Sequence, residues 1–335
     1  MASYPPAKIM APVSPPIFQP DQPGLDSASE TLRAGGLVAF PTETVYGLGA
    51  DATQDTAVAA IFDAKGRPSF NPLIVHFPDQ HAVWEHVTAN DLASVLAKAF
   101  WPGPLTLVLP RQAGSSLSLL VSAGLDTVAV RVPAHDVAHR LLVSTGHPIA
   151  APSANRSGSI SPTRASHVRN SLGDRVDGIV DGGDCSIGIE STVIAIDGQH
   201  ATMLRPGSIT REDIEALIGP IRISDGDGDP TKPQSPGMLK RHYAPNTPVR
   251  LDAMASKSGD VFLGFGRDAL KDAPEGSLNL SENADLREAA ANLFAMLRQL
   301  DLQGSTGIAV SPIPESGLGV AINDRLRRAA TPEKP

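Results

Sequence analysis

The sequence predicts an α/β protein with a mixed, twisted sheet, because short apolar strands alternate with amphipathic helical segments along most of the chain. The connections vary in length, which favours a mixed sheet over a regular doubly wound one. The chain has 335 residues, which is longer than a typical single domain, so two domains are expected. Hydrophobic residues make up 41% of the chain and charged residues 19%, as in ordinary globular proteins.

Helices and strands are predicted in turn from the beginning of the folded region. A helix over 25–33 ends at Gly35 and Gly36, and the buried-type strand LVAF follows at 37–40. A second helix covers 53–64 and ends at Gly66 and Pro68. Further strands are predicted at 73–77, 105–109, 127–132, 148–151, 178–181, 192–196 and 202–205, and further helices at 91–100, 137–144, 166–172 and 211–218.

Composition divides the chain into four parts. Residues 1–23 hold seven prolines and no apolar run of the signal-peptide type, so they are predicted to be a disordered leader. The first domain is predicted over 24–219, and residues 220–247, which include ISDGDGDPTKPQSPG, are predicted to be a linker. A small second α/β domain is predicted over 248–331, with strands at 261–266 and 307–312 and helices around 286–300 and 319–330.

Charge and cysteine content exclude several classes of protein. The net charge of −8 argues against a protein that grips a nucleic-acid backbone tightly, since such binding needs clustered Lys and Arg. No apolar run approaches the roughly 18 residues that a membrane span requires. The single cysteine, Cys185, cannot form an internal disulfide or a cysteine-based metal site, which fits a reducing compartment. A cytoplasmic protein is therefore expected.

The segment FPTETVYGLGADA places Thr42, Glu43, Thr44 and Tyr46 directly after a buried strand. In open α/β sheets such positions present ligand-binding side chains. A polar surface loop is the simpler alternative, because loops after strands are usually polar.

The segment AKGRPSFNPLIVH carries Lys65, Arg67, Asn71 and His76. Two cations one residue apart on a turn restricted by glycine and proline suit phosphate oxygens, since Arg offers a planar fork and Lys a point charge. A solvated surface turn is the alternative for this motif taken alone. The common phosphate cradles G-x-x-x-x-G-K-[ST] and G-x-G-x-x-G are absent from the sequence.

Polar residues also follow the later strands. Arg131 ends an otherwise apolar strand, where its desolvation demands a partner; that partner is a ligand carboxylate or an internal Asp or Glu. The loop APSANRSGSISPT supplies small donors that can wrap a sugar or a phosphate. These donors are Ser153, Asn155, Ser157, Ser159 and Ser161, and the later motifs GIEST, LRPGS and RHYAP add Ser191, Arg205, Arg241, His242 and Tyr243.

Taken together and in this order, these motifs resemble those of the threonylcarbamoyl-AMP synthase family, also called YrdC-like, in its long two-domain form. The resemblance covers nearly the whole chain after the leader. It implies a YrdC-like mixed twisted sheet around a large concave cavity, and a small Rossmann-like C-terminal domain joined by a linker that can cover the cavity.

The resemblance also implies site residues. L-threonine would be held by Thr44, His76, Arg131, Ala151 and Ser191. ATP would contact Lys65, Arg67, Asn71, Thr127, Ser153, Asn155, Ser161, Arg205 and Tyr243. Lys65 and Arg67 would act on the reacting phosphate, and Mg²⁺ would be carried by the ATP phosphates, in keeping with a sequence that shows no clustered Asp/Glu signature.

The implied reaction joins L-threonine to bicarbonate or carbon dioxide and transfers the carbamate to the α-phosphate of ATP, releasing diphosphate. The product would serve tRNA modification through a separate transferase, so the link to tRNA is indirect. Phosphoryl chemistry of this kind needs positioning and charge neutralisation more than covalent catalysis. The base that deprotonates threonine is open; His76 is a candidate by residue type, and orientation is its expected role.

Two other functions stay open on the sequence. One is a non-catalytic RNA-binding module of YrdC-like fold, against which the net charge of −8 argues. The other is carbamoyl transfer of the hydrogenase-maturation type, against which the single cysteine argues.

The linker carries a further hypothesis. Arg241, His242 and Tyr243 are functional side chains in a place where a plain tether needs none. We therefore expect a gate that folds over bound ATP; simple packing of this segment on the second domain is the alternative.

Overall fold

The computed structural model describes residues 14–224 and 241–332. In the first part the strands are β1 (Ile17–Phe18), β2 (Val38–Phe40), β3 (Gly47–Asp51), β4 (Ile74–His76), β5 (Leu105–Pro110), β6 (Thr127–Arg131), β7 (Ile149–Ala150), β8 (Gly178–Val180), β9 (Thr192–Asp197), β10 (His200–Arg205) and β11 (Arg222–Ile223). The helices there are α1 (Gln22–Arg33), α2 (Asp55–Lys65), α3 (Gln80–Trp84), α4 (Asp91–Phe100), α5 (Asp136–Thr145), α6 (Ala165–Leu172) and α7 (Arg211–Ile218), with 3₁₀ turns at Leu119–Ser122 and Gly173–Arg175.

The strands of this first domain form one mixed sheet of 11 strands within the described residues, in the order β1-β8-β2-β3-β7-β4-β6-β5-β9-β10-β11. At its centre β4 and β6 run parallel, with His76 opposite Arg131 in register. Since both residues end their strands, their side chains lie at the same edge of the sheet. β7 runs antiparallel to β4, so the loop that follows β7 leaves from the region where β4 begins.

The second domain is smaller and fully parallel in its sheet. Its strands are β12 (Val249–Arg250), β13 (Asp260–Gly264), β14 (Leu278–Asn279) and β15 (Gly307–Val310), and its helices are α8 (Leu286–Asp301) and α9 (Leu318–Ala329). The strand order is β12-β15-β13-β14, and every pairing is parallel. This arrangement fits the Rossmann-like domain that the resemblance implied.

Helix ends follow local rules. Asn90 caps α4 by accepting a hydrogen bond from the backbone N–H of Ala93 at 2.9 Å, and Thr210 with Asp213 forms a capping box at the start of α7. These signals are local in the sequence. They explain why the predicted bounds 91–100 and 211–218 match the observed helices.

The predicted disorder of residues 1–23 is wrong for the described part of that segment. Residues Ile17 and Phe18 form the edge strand β1, paired in parallel with β8. Phe18 covers Gly178, where a Cβ would stand 2.1 Å from the phenyl ring. Proline has no backbone N–H. It is tolerated on an edge strand because the outer side of such a strand forms no hydrogen bonds within the sheet. Residues 1–13 lie outside the described residues.

The linker prediction of 220–247 also differs from the structure at both ends. Arg222 and Ile223 belong to β11 and pair with β10, so the large sheet extends past residue 219. Residues 225–240, which carry most of the predicted linker and gate, lie outside the described residues. Residues 241–247 contact both domains, since the backbone N–H of Ala244 donates to the carbonyl of Gly158 and that of Thr247 donates to Asp301 of α8. No helix in the described ranges 14–224 and 241–332 has the length and apolar character of a membrane span.

Candidate active site

A cavity opens at the edge of the large sheet where β2, β4, β6 and β7 end or begin. Its empty space is about 500 Å³, including the part open to solvent. The lining comprises Thr42, Thr44, Val45, Gly47, Arg67, Ile74, Arg131, Ala151, Pro152, Ser153, Glu190, Ser191, Arg205, His242 and Tyr243. Every motif that the sequence singled out thus contributes to one cavity.

Arg131, at the end of β6, is 3% exposed and is held by the loop after β2. Its Nη2 donates to Glu43 Oε1 at 2.6 Å, its Nη1 to Thr44 Oγ1 at 3.0 Å, and its Nε to the carbonyl of Gly103 at 3.3 Å. Of the two partners that the sequence left open, the internal carboxylate is therefore present. A guanidinium has five N–H donors, and within the described residues the second N–H on each terminal nitrogen forms no further bond, so it is available to a ligand.

His76 lies beside Arg131 and is equally buried. Burial, with a smaller contribution from the charge of Arg131, lowers the pKa of His76 to about 3. Its Nδ1 has no hydrogen-bond partner among the described residues. His76 is therefore a neutral imidazole at physiological pH and a poor proton acceptor, which favours the orienting role over that of a base.

Arg67 lines the cavity just beyond the end of α2, and Lys65, the last residue of that helix, reaches the carbonyl of the lining residue Ser153. Gly66 adopts a left-handed conformation, with φ at 59°, and the backbone N–H of Arg67 then donates back to the carbonyl of Phe62 at 2.9 Å. A residue with a Cβ is strained in this conformation. The glycine thus turns the chain so that the two cations on either side of it reach the same region.

Both cations are anchored by carbonyl oxygens. Lys65 Nζ donates to the carbonyls of Ser153 and Asn155, each at 2.5 Å. Arg67 donates to the carbonyls of Asn71 at 3.3 Å and Pro72 at 3.0 Å. Carbonyls orient the cations but carry no net charge, so the positive charge is left uncompensated by these contacts.

The electrostatics of this region favour an anionic ligand. Among the described residues, neither Lys65 nor Arg67 forms an ion pair with a carboxylate. Burial lowers the pKa of Arg67 to about 9, although the nearby Tyr243 raises it. Burial and the charge of Arg67 hold the pKa of Lys65 well below its usual range. Buried cations that lack a carboxylate partner gain most from a phosphate group.

The loop after β7 closes one side of the cavity. Its backbone is tied to the beginning of β3, since the N–H of Leu48 donates to the carbonyl of Pro152 at 2.7 Å and the N–H of Ala154 donates to the carbonyl of Tyr46, the residue before β3, at 2.8 Å. The side chain of Asn155 donates to the carbonyls of Arg156 and Ser159, each at 2.8 Å. Its Oδ1 has no hydrogen-bond partner among the described residues.

The opposite wall is built from the GIEST and LRPGS motifs. Ser191 Oγ lies 2.8 Å from Thr106 Oγ1 and accepts a hydrogen bond from Arg205 Nη2 at 3.1 Å. Ser161 Oγ donates to Glu190 Oε1 at 2.5 Å. The bond between Ser191 and Arg205 connects a threonine-side candidate with an ATP-side candidate.

The RHYAP segment sits between the cavity and the second domain. Tyr243 lines the cavity and also stacks on Phe294 of α8, with 5.4 Å between ring centroids. Its backbone has φ at 60°, which is an unusual conformation for a bulky residue and is often found at functional sites. Both expectations for this segment, contact with the site and packing on the second domain, therefore describe part of what Tyr243 does.

The structure places some, but not all, of the predicted substrate-binding residues in the lining of this cavity. Those in the described lining are Thr44, Arg67, Arg131, Ala151, Ser153, Ser191, Arg205 and Tyr243, whereas Lys65, Asn71, His76, Thr127, Asn155 and Ser161 are outside it. Thr127 begins β6 and Arg131 ends it, so at about 3.3 Å per residue the two lie roughly 13 Å apart. Thr127 does not line the cavity, and neither does the partly buried Arg241. Asn71 is fully buried beside Arg67, and its side-chain amide has no partner among the described residues.

Sequence reasoning did not single out two charged residues at or beside the cavity, Glu190 and Arg325. Glu190 stands inside the GIEST motif, where only Ser191 drew attention. Arg325, on α9 of the second domain, is fully buried and pairs with Glu190 Oε2 at 3.1 Å, and its guanidinium lies 5.6 Å from the Tyr243 ring centroid. An arginine on a helix that carries several of them gives no signal of burial, so only the tertiary structure reveals this contact.

Several buried polar atoms in this region lack partners among the described residues. They are Glu43 Oε2, both side-chain polar atoms of Asn71, His76 Nδ1, Asn155 Oδ1, His242 Nδ1 and the Tyr243 hydroxyl. Such atoms are rare in folded proteins. Their concentration around one cavity indicates a polar ligand with both donors and acceptors.

Comparisons with known proteins agree with this geometry. A model of the Sua5, YciO and YrdC family, described as telomere recombination, matches residues 30–207, and a model described as the threonylcarbamoyl-AMP synthase C-terminal domain matches residues 209–331. The threonylcarbamoyl-AMP synthase of Bacillus subtilis is 44% identical over 92% of this chain and 94% of its own. That of Pyrococcus abyssi is also 44% identical, over 90% and 93% of the two chains.

A solved structure is similar over the same extent. The crystal structure of P. abyssi Sua5 complexed with L-threonine superposes with a TM-score of 0.85 at 39% identity, and the match covers 95% of this chain and 98% of that one.

Proposed function

The chain belongs to the threonylcarbamoyl-AMP synthase family, and we propose that its cavity forms threonylcarbamoyl-AMP and diphosphate from L-threonine, bicarbonate or carbon dioxide, and ATP. It is an enzyme of the nucleotidyltransferase type. One observation carries the assignment of substrates to the cavity. A cation-rich half around Lys65 and Arg67 adjoins a half in which Arg131 is already neutralised by Glu43.

The cation-rich half suits the triphosphate of ATP. Lys65 and Arg67 are held in place before ligand arrives, so they can stabilise charge that develops on the α-phosphate without reorganisation. Arg205 and Tyr243 flank them in the same lining. Transfer at phosphorus depends mainly on such positioning and charge neutralisation.

The neutralised half suits a zwitterionic amino acid. Each terminal nitrogen of Arg131 has one N–H that forms no bond within the described residues, and a pair of such donors suits the carboxylate of an amino acid. The hydroxyls of Thr44 and Ser191 and the methyl of Ala151 line the same cavity. The similar P. abyssi Sua5 was crystallised as a complex with L-threonine, which supports this assignment.

The proposed reaction has two steps. The amine of threonine adds to the carbon of bicarbonate or carbon dioxide; with bicarbonate, the ammonium form yields a carbamate, water and one proton. A carbamate oxygen then attacks the α-phosphorus, and the bond to the leaving diphosphate breaks. His76, with its pKa lowered to about 3, is unsuited to take the proton at neutral pH. We therefore assign proton acceptance to substrate oxygens or water.

Magnesium is proposed to enter with the nucleotide. Within the ranges 14–224 and 241–332 no group of three or more His, Cys, Asp or Glu residues could hold a metal ion. Oxygen atoms of the ATP phosphates are suitable Mg²⁺ ligands. When bound, the ion would neutralise phosphate charge beside Lys65 and Arg67. The product would pass to tRNA through a separate transferase.

Release of diphosphate tests the proposal. The full reaction should release diphosphate, and omission of threonine, bicarbonate or ATP in turn should abolish it. Release without threonine would instead indicate a different acceptor, and no release in the complete mixture would favour a non-catalytic module. Formation of the adenylated product is checked by mass spectrometry.

Arg131→Lys tests the threonine half by itself. Lysine keeps the charge but loses the fork, so the threonine KM should rise about tenfold or more while the dissociation constant for ATP stays within about twofold. Loss of ATP affinity with an unchanged threonine KM would contradict the assignment.

A further inference from the structure

A second polar cavity lies at the junction of the two domains, away from the active site. It is lined by Arg156, Ser159, Ile160, Asn170, Ser171, Ala244, Asn246, Arg298 and Asp301, with about 670 Å³ of empty space including the part open to solvent. The described linings of the two cavities have no residue in common. The nucleotide chemistry proposed above makes no use of it.

Two arginines supply this cavity with donors. Arg298 of α8 donates from Nη2 to the carbonyl of Ile160 at 2.5 Å, whereas its buried Nε has no partner among the described residues. Arg156 donates from Nε to the carbonyl of Ser171 at 3.2 Å. Neither guanidinium forms an ion pair with a carboxylate within residues 14–224 and 241–332. With respect to the part of the chain that the structure describes, most of their N–H groups are therefore available to a ligand.

Asp301 is the one carboxylate in the described lining, and it is engaged elsewhere. Its Oδ2 accepts from Asn246 Nδ2 at 3.0 Å, and its Oδ1 accepts from the backbone N–H of Thr247 at 2.7 Å. It thus anchors the beginning of the second domain. With two guanidinium groups against one carboxylate, the lining keeps a net positive charge. The guanidinium of Arg298 is partly desolvated. This burial lowers its pKa, whereas the nearby Asp301 raises it. A bound anion would therefore stabilise the charged form of Arg298.

A short loop separates the two cavities and connects them mechanically. Asn155, on the active-site side, donates to the carbonyls of Arg156 and Ser159. The backbone N–H of Ala244, the residue after Tyr243, donates to the carbonyl of Gly158 at 2.9 Å. A ligand in the second cavity would therefore contact the loop 156–160, which is hydrogen-bonded to Asn155 and to the segment that carries Tyr243, a residue of the first cavity.

We propose that this second cavity binds a phosphate or diphosphate ion between Arg156 and Arg298 and that its occupancy changes the affinity of the active site for ATP. Planar guanidinium groups bind phosphate oxygens with paired N–H donors. The binding half of the proposal stands by itself, and the coupling half rests on the proposed function. Coupling between sites of this kind typically changes an affinity about fivefold or more.

Binding is tested without turnover, so its failure is distinguishable from failure of the proposed function. Phosphate and diphosphate are titrated separately into the full chain and followed by calorimetry and by the melting temperature. Two backgrounds remove anion binding at the active site: the Lys65→Met/Arg67→Met variant, and the wild type saturated with a non-hydrolysable ATP analogue. The second background keeps the test valid where the double variant does not fold. In both, one of the two anions should still bind and raise the melting temperature.

Variants in the second cavity identify the site. Asn170→Asp adds a carboxylate beside the arginines at an exposed position and should abolish the residual binding, whereas Asn170→Gln should retain it. Arg156→Gln should weaken binding at least tenfold, while Arg287→Gln, an exposed change on α8 outside the lining, should leave it unaltered. Binding of diphosphate alone would identify a diphosphate-specific site, and binding of both ions a general phosphate site.

Absence of residual binding in the analogue-saturated enzyme would overturn the proposal, as would binding that Asn170→Asp leaves intact. For the coupling half, the ATP KM is compared between wild type and Asn170→Asp at saturating anion. If the anion binds but the two ATP KM values are equal, the coupling is refuted, while the anion-binding site itself is retained.

Discussion

The ion pair between Arg131 and Glu43 makes a quantitative prediction. The two side chains are 4% and 7% exposed, and the nitrogen and oxygen lie 2.6 Å apart. With charge centres about 4 Å apart and an effective dielectric constant of about 20, the attraction is about 4 kcal/mol. Because both groups are buried, solvent screening reduces this value little.

Removal of either partner leaves the other charge buried without compensation. Glu43→Gln and Arg131→Met should therefore each lower the free energy of unfolding by about 3–5 kcal/mol. The double variant, which removes both charges, should lose at least about 2 kcal/mol less than the sum of the single losses. Arg131 lies at the end of β6 with its backbone in the sheet, so the fold itself should persist.

Urea unfolding of the four proteins measures this coupling, with equal slopes required for a valid comparison. Arg250 and Asp260 of the second domain serve as the matched control, since they pair at 2.9 Å but are 34% and 12% exposed. Their coupling should stay near or below about 1 kcal/mol. If the losses of unfolding free energy in the Arg131 and Glu43 single variants add up to the loss in the double variant, the buried ion pair is refuted. The assignment of the neutralised half of the active site would then fail with it.

Three further predictions concern single residues. Lys65→Met should lower turnover about a hundredfold or more without lowering the melting temperature, because a neutral side chain removes a desolvated charge; retained turnover with a lower melting temperature would indicate a structural role. The pKa of His76 is about 3 in the folded protein against 6.5 for the free side chain, so the unfolded chain binds more protons between these values and stability is lost as pH falls below about 6.5. His76→Gln should make this loss shallower by about 1.4 kcal/mol per pH unit, and parallel curves for variant and wild type would contradict the burial of a neutral imidazole. Tyr243→Phe removes a buried hydroxyl that has no partner among the described residues, so stability should be kept while the ATP KM rises several-fold; an unchanged ATP KM would argue against contact between this hydroxyl and the nucleotide.

Much of the fold was predictable because its signals are local. The apolar runs that became β4, β5 and β6 and the capped helices α4 and α7 carry their own periodicity and end signals. β3 was not predicted, since GLGAD has two glycines and no β-branched residue. It is a strand because β2 and β7 pair with it on either side, and such tertiary pairing overrides a weak β propensity.

The active site also combines features that have local sequence signals with features that only tertiary contacts determine. The spacing of Lys65 and Arg67 around Gly66 predicted a cationic turn, because a left-handed glycine at a helix end is a local property. Glu43 as the partner of Arg131 was not predictable from spacing, since 88 residues separate the two and any of many carboxylates could have served. Thr127 was included through family resemblance, and it lies away from the cavity lining.

By itself the sequence determined the class of fold, the family and the residue types of the site, because these follow from periodicity, end signals and ordered motifs. Only the tertiary structure decided how the charges pair: Glu43 with Arg131, Glu190 with Arg325 from the second domain, and Lys65 with the carbonyls of Ser153 and Asn155. The physical reason is that burial and the distance between charges set electrostatic energies. Both quantities arise from contacts between residues far apart in the chain.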